Sequence, residues 1–230
     1  MMRPLVIGHR GAPRQAPENT IRSFETAYSA GADWVELDVQ QTSDGRLVCI
    51  HDYDLTRLCG VEVQVAETDY AELSKYDIGS GERVPLLSQV LDLCTGARGV
   101  NVELKVPGVE IEVAELLRER GLVKRSIVSS FFHAALVTMH EVAPEVKTAI
   151  LYNSPMEDPV EAALRVHASA VNPPVDTLDR RLVDRAHERG LRVYPWTVND
   201  EAGMLRLVSW GTDGIITDVP DVCARAVRAP

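Results

Sequence analysis

Short apolar runs alternate along the chain with amphipathic stretches of roughly ten residues, the pattern of repeated strand and helix units built on a parallel sheet. Eight runs read as strands: Leu5–Gly8, Trp34–Val39, Gly99–Val106, Ser126–Ser129, Thr148–Tyr152, Ser169–Asn172, Arg192–Val198 and Gly214–Thr217. Eight strands, most of them followed by a helix, are the number that closes a barrel, so the pattern predicts an α/β fold: a single (β/α)8 TIM-barrel domain over residues 1–230. Asn19 is placed to cap a helix over Thr20–Ala30, and Gly31, Gly121, Gly190 and Gly211 fall where helices should stop. One stretch breaks the rhythm. Leu47–His51 reads as an extra strand after the turn Ser43-Asp44-Gly45, and residues 47–98 then hold two further helical stretches before the third barrel strand. That hairpin and helical excursion follows strand two, at the end of the barrel where functional insertions sit.

The polar residues that interrupt these runs carry the candidate chemistry. In Trp34-Val35-Glu36-Leu37-Asp38-Val39, strand alternation puts Glu36 and Asp38 on one face and Val35, Leu37 and Val39 on the other. The third strand does the same with Asn101, Glu103 and Lys105. Three carboxylates near neighbouring strand ends repel unless a cation, a proton or an arginine neutralises them. With no Cys or His interleaved at ligand spacing, such a cluster suits a hard divalent ion, Mg2+ or Ca2+, rather than zinc. Ion-paired strand ends, Glu103 with Lys105 for instance, are the plainer reading.

The first strand ends in His9-Arg10-Gly11, which delivers an imidazole and a guanidinium to the barrel mouth before a tight turn. His51, followed by Asp52, ends the extra strand and can reach the same mouth. Each histidine alone reads more simply as a hydrogen-bonded structural residue; beside the acidic cluster, the pair reads as a general acid and a general base. Arg10 and Lys105 are the local cations that a phosphate ligand requires, and their alternative role is to neutralise the same carboxylates. Trp196, at the end of the seventh strand, either walls a ligand or packs in the core. His133, His140, His167 and His187 lie at or within predicted helices and read as surface or capping residues.

Composition narrows the field. The net charge of −10 and the absence of a Lys/Arg run disfavour nucleic acid and anionic membrane as partners. No run of about 20 apolar residues is present, and the start of the chain is too short for a secretory core, so a soluble cytoplasmic protein is expected, as a monomer or homodimer. The four cysteines are widely spaced and read as reduced thiols. No GxSxG, P-loop or GxGxxG motif occurs.

His9-Arg10-Gly11, Pro17-Glu18-Asn19-Thr20, Glu36-Leu37-Asp38-Val39, His51-Asp52, Asn101-Val102-Glu103-Leu104-Lys105 and Asp213-Gly214-Ile215-Ile216-Thr217-Asp218 occur in this order. In that ordered set the chain resembles the glycerophosphodiester phosphodiesterases. The resemblance implies that Glu36, Asp38 and Glu103 hold a divalent metal, that His9 and His51 are acid and base, and that Arg10 and Lys105 contact phosphate. The implied substrate is a small glycerophosphodiester, cleaved to glycerol 3-phosphate and an alcohol. Glu18 reads as structural, a carboxylate satisfying backbone N–H groups at a helix start. Two features depart from the family pattern: a compact stretch between His51 and Gly81-Glu82-Arg83-Val84-Pro85, and Ser130-Phe131-Phe132-His133 in place of the more familiar SFD or SFN. Both bear on the head group. The rival readings are a lysophospholipase D or phospholipase C-like enzyme, which needs an apolar entrance rim, a catalytically silent binding barrel, and an acid–base sugar or enolate enzyme on the same fold.

Overall fold

The structure, a computed structural model, describes residues 3–153 and 156–228. Among these, nine strands form one sheet: β1 (Leu5–Gly8), β2 (Trp34–Gln41), β3 (Leu47–Cys49), β4 (Gly99–Leu104), β5 (Ser126–Ser130), β6 (Lys147–Leu151), β7 (Ala170–Asn172), β8 (Arg192–Val193) and β9 (Gly214–Thr217). Eight of them run in parallel in the order β8-β7-β6-β5-β4-β2-β1-β9, while β3 pairs antiparallel with the end of β2, Val39 facing Cys49 and Gln41 facing Leu47. The seam between β8 and β9 is bridged by hydrogen bonds from Asp213 N–H to Val193 O (3.0 Å), Ile216 N–H to Pro195 O (3.0 Å) and Val198 N–H to Ile216 O (3.0 Å). The sheet thereby curls into the expected eight-stranded barrel, with helices outside.

Both faces of each strand are covered, which is why the strands read as apolar runs in the sequence. Val100, Val102 and Leu104 face the helices and join the large core between sheet and helices. Ile7, Ile127, Ala149, Ala170, Tyr194 and Ile216 pack against one another inside the barrel and plug it. The polar positions Glu36, Asp38, Asn101 and Glu103 share that inward face, above the plug.

Predicted strand ends agree with the structure to within two residues except at Arg192–Val198, where regular pairing stops at Val193. Pro195 has no N–H to give the ladder, and the segment continues as irregular chain hydrogen-bonded at Trp196 N–H to Pro173 O (3.0 Å). The cap of the first helix also differs. Thr20, not Asn19, caps the helix Ile21–Ser29 by accepting from Ser23 N–H (3.1 Å), because Asn19 lies in the left-handed region (φ 56°) with its side chain turned to Asp38. The excursion holds three short helices, Thr56–Cys59, Tyr70–Leu73 and Leu87–Leu91, and a 3-10 turn at Val65–Glu67, rather than two helical stretches. Val48, Ile50, Leu55, Val65, Leu73, Ile78 and Val84 give it an apolar cluster of its own.

Candidate active site

Glu36 and Asp38 project inward from β2, and Glu103 of β4 sits in register opposite Asp38. One oxygen from each of the three carboxyls lies within 4.8 Å of the others, and all three side chains are buried. Arg10 N–H donates to Glu36 (2.9 Å), the Asn19 amide donates to Asp38 (2.8 Å), and Lys105 Nζ donates to Glu103 (2.8 Å) and lies 3.6 Å from Asp38. The neighbours decide which carboxyl carries charge. Burial raises Asp38, but the charges of Arg10 and Lys105 and the Asn19 hydrogen bond outweigh it and hold Asp38 below the usual carboxylate range. Glu36 is pushed well above that range by burial and by the charges of Asp38 and Glu103. Glu103 is pushed up to about 7 by burial and Asp38, against the pull of Lys105. The cations of the chain thus settle one carboxylate of three. A divalent cation would settle the other two, and an all-oxygen donor set of this kind fits a hard ion.

The first loop is shaped to serve this cluster. Arg10 lies at φ 50°, an uncommon conformation for a non-glycine residue, and its carbonyl accepts from Asn19 N–H (3.0 Å) and Ser23 Oγ (2.9 Å). Gly11 follows at φ 91°, where an added Cβ would collide with Ser23. The turn aims the backbone N–H of Arg10 at Glu36 and its side chain at Glu18 and Asp38, 2.9 and 3.3 Å away.

Both histidines are oriented by carboxylates. His9 Nδ1 lies 2.7 Å from Asp218, which also accepts from the Asn199 amide (2.7 Å), and His51 Nδ1 lies 2.7 Å from Asp52. With Nδ1 occupied, Nε2 is the ring nitrogen available to a molecule between them. Burial pushes the His51 imidazole below its ordinary value, helped by Arg10 and Lys105 and opposed by Asp38 and Asp52. A depressed imidazole pKa leaves the ring neutral at pH 7 and protonates it only below the usual value of about 6.5. Turnover that needs His51 as a base should therefore hold down to about that pH and fall below it. The pH profile of kcat checks this, and an acid limb above pH 7 would remove His51 from the role.

These groups line one cavity of about 380 Å3. His9, Arg10, Glu36, His51, Glu103, Lys105 and Trp196 all border it, and Asp38, 1% exposed, lies beneath. Trp196 packs against the barrel plug and also borders the cavity, its indole N–H donating to Asn172 O (2.8 Å) and its ring edge-on to Phe131 (5.8 Å). Tyr53 and Phe132 stand at the rim, 53% and 45% exposed. Glu18 departs from expectation, for it pairs with the Arg10 and Arg57 side chains and not with helix N–H groups. His133, at a helix start, contacts Leu151 O (2.9 Å), in keeping with a structural role. The pairing of Asp52 and Asp218 with the histidines, of Asn199 with Asp218 and of Asn19 with Asp38 was not singled out from the sequence. Asp52 and Asp218 stood in the ordered motif set only as neighbours, Asp52 directly after His51 and Asp218 directly after the last barrel strand.

Residues 9–222 match the profile of the glycerophosphoryl diester phosphodiesterase family. The chain belongs to that family. A glycerophosphodiester phosphodiesterase of Caldanaerobacter subterraneus is 37% identical over 99% of both chains. An Oleispira antarctica phosphodiesterase, solved in complex with the product sn-glycerol-3-phosphate, superposes with a TM-score of 0.90 at 30% identity, covering 99% of this chain and 98% of that one. A putative glycerophosphoryl diester phosphodiesterase from Silicibacter pomeroyi superposes at 0.89, also 30% identical, over 97% of this chain and 93% of its own. As in the family generally, a divalent metal accords with the acidic cluster of the barrel mouth. No described helix is long and apolar enough to cross a membrane.

Proposed function

We propose that this phosphodiesterase hydrolyses small glycerophosphodiesters to glycerol 3-phosphate and an alcohol, with Mg2+ or Ca2+ as cofactor. The observation that carries the reading is the cavity itself, where two carboxylate-oriented histidines face a three-carboxylate cluster flanked by Arg10 and Lys105. Glu36, Asp38 and Glu103 would hold the metal. Once bound, the ion supplies Lewis-acid stabilisation of the negative charge that develops on the phosphoryl oxygens. Arg10 and Lys105 bind the same oxygens, the guanidinium through its fork and the ammonium as a point charge. His51, neutral at working pH, takes the proton of the attacking oxygen, and His9 delivers one to the departing alkoxide. Asp52 and Asp218 hold the two rings for those transfers, and Trp196 gives the carbon skeleton of the substrate an apolar wall.

The relative with bound sn-glycerol-3-phosphate supports the product assignment. The direct test is an assay of metal-stripped protein on glycerophosphocholine. Release of glycerol 3-phosphate should be absent in EDTA and return with Mg2+ or Ca2+, and no release with either ion would sink the proposal. One observation favours a second reading: Tyr53 and Phe132 give the cavity an exposed apolar rim, the feature a lysophospholipid substrate requires. A higher kcat/KM for a lysophospholipid than for glycerophosphocholine would decide for it.

A further inference from the structure

Arg57 belongs to the short helix Thr56–Cys59 of the excursion and lines no part of the cavity, yet its guanidinium joins the two halves of the site. Its Nε donates to Asp52 (2.5 Å), the carboxylate that orients His51. Its two terminal nitrogens donate to Glu18 (3.0 and 2.6 Å), the carboxylate that holds the side chain of Arg10 (2.9 Å). The resulting chain of contacts runs His51, Asp52, Arg57, Glu18, Arg10, and ends on Asp38 of the acidic cluster. Buried Leu55 roots this helix in the apolar cluster of the excursion, and Thr56 N–H bonds to Asp54 (2.7 Å), so the arginine extends from a fixed base.

We infer that Arg57 is a positioning residue that sets His51 and Arg10 in register with each other across the cavity mouth. Only an arginine fork reaches both carboxylates at once; a lysine is a point charge and satisfies one of them. Stability alone gives little reason for the arrangement, because exposed ion pairs contribute little and Arg57 is half-exposed. What the fork supplies is geometry, since a catalytic group misplaced by an ångström loses rate steeply. The inference rests on the roles proposed above for His51 and Arg10.

Two readouts test it on the full chain. In the kinetic one, Arg57→Gln should lower kcat and raise KM, each by about tenfold or more, with Arg57→Lys in between. The two arms separate in double variants: on an Asp52→Asn background the Arg57→Gln change should cost no further kcat, and on a Glu18→Gln background it should raise KM no further. In the second readout, nitrogen NMR of the His51 ring, the wild type should hold one tautomer, with the proton on Nδ1, and Arg57→Gln should mix the two. Arg10, Lys105, Asp38 and Asp52 also face that ring and are chemically unchanged in the variant. Unchanged kinetics together with an unchanged His51 tautomer overturns the inference, as does a loss of rate fully explained by a smaller folded fraction. An inactive wild type would defeat the functional reading instead, while the NMR comparison would still decide the role of Arg57.

Discussion

His51→Ala is expected to lower kcat on glycerophosphocholine by about 10²–10⁴-fold while the protein stays folded and still binds its metal, because one general acid–base group is removed and little else. His51 sits at the edge of the excursion, about a third exposed, so its truncation leaves no large cavity in a core. Metal content should be retained, since Glu36, Asp38 and Glu103 are untouched. Near-normal turnover in this variant would refute the assignment outright. Added imidazole gives a finer check: partial recovery of rate, stronger above pH 7 where the free base predominates, would identify the missing function as proton acceptance.

Glu36→Gln should abolish turnover by a different route. Glutamine keeps the shape and can still accept from the Arg10 N–H, but it removes one of the three carboxyls that would face a cation. A loss of at least about a hundredfold, ~2.7 kcal/mol of barrier, follows if the ion contributes its usual share. The metal-free variant should be no less stable than metal-free wild type, because burial and the charges of Asp38 and Glu103 already disfavour ionised Glu36. Added Mg2+ or Ca2+ should raise the melting temperature of wild type and leave that of the variant nearly unmoved. Unchanged activity with unchanged metal content would remove Glu36 from the ligand set.

These variants could be chosen from the sequence because buried parallel strands are almost wholly apolar, so Glu36, Asp38 and Glu103 stand out as breaks in a run. Period-two alternation then fixes which face they share. The barrel was legible for the same reason. What the sequence hid are relations between distant positions: His9 with Asp218 across 209 residues, Arg57 with Glu18 across 39, Asn19 with Asp38 across 19. An aspartate after a strand and an arginine in a short surface helix look ordinary until folding brings their partners to them. Asn19 was misread by one position because Asn and Thr are both good caps, and only the left-handed backbone of Asn19 hands that task to Thr20. The aromatic rim was diluted by averaging: aromatics are 5% of the chain, yet Tyr53, Phe131, Phe132 and Trp196 gather at one cavity.

The excursion packs on its own apolar cluster and grips the barrel through the short β3 ladder. In evolutionary terms this is a division of inheritance. The acidic cluster is written into β2 and β4, where any change of length would recut the barrel. The segment around Tyr53 is free of that constraint on barrel length, provided that Leu47–Cys49 still pairs with Val39–Gln41 and that His51, Asp52 and Arg57 keep their contacts. Changes around Tyr53 that leave those residues in place therefore reshape the cavity mouth without touching the barrel, and a designer has the same handle.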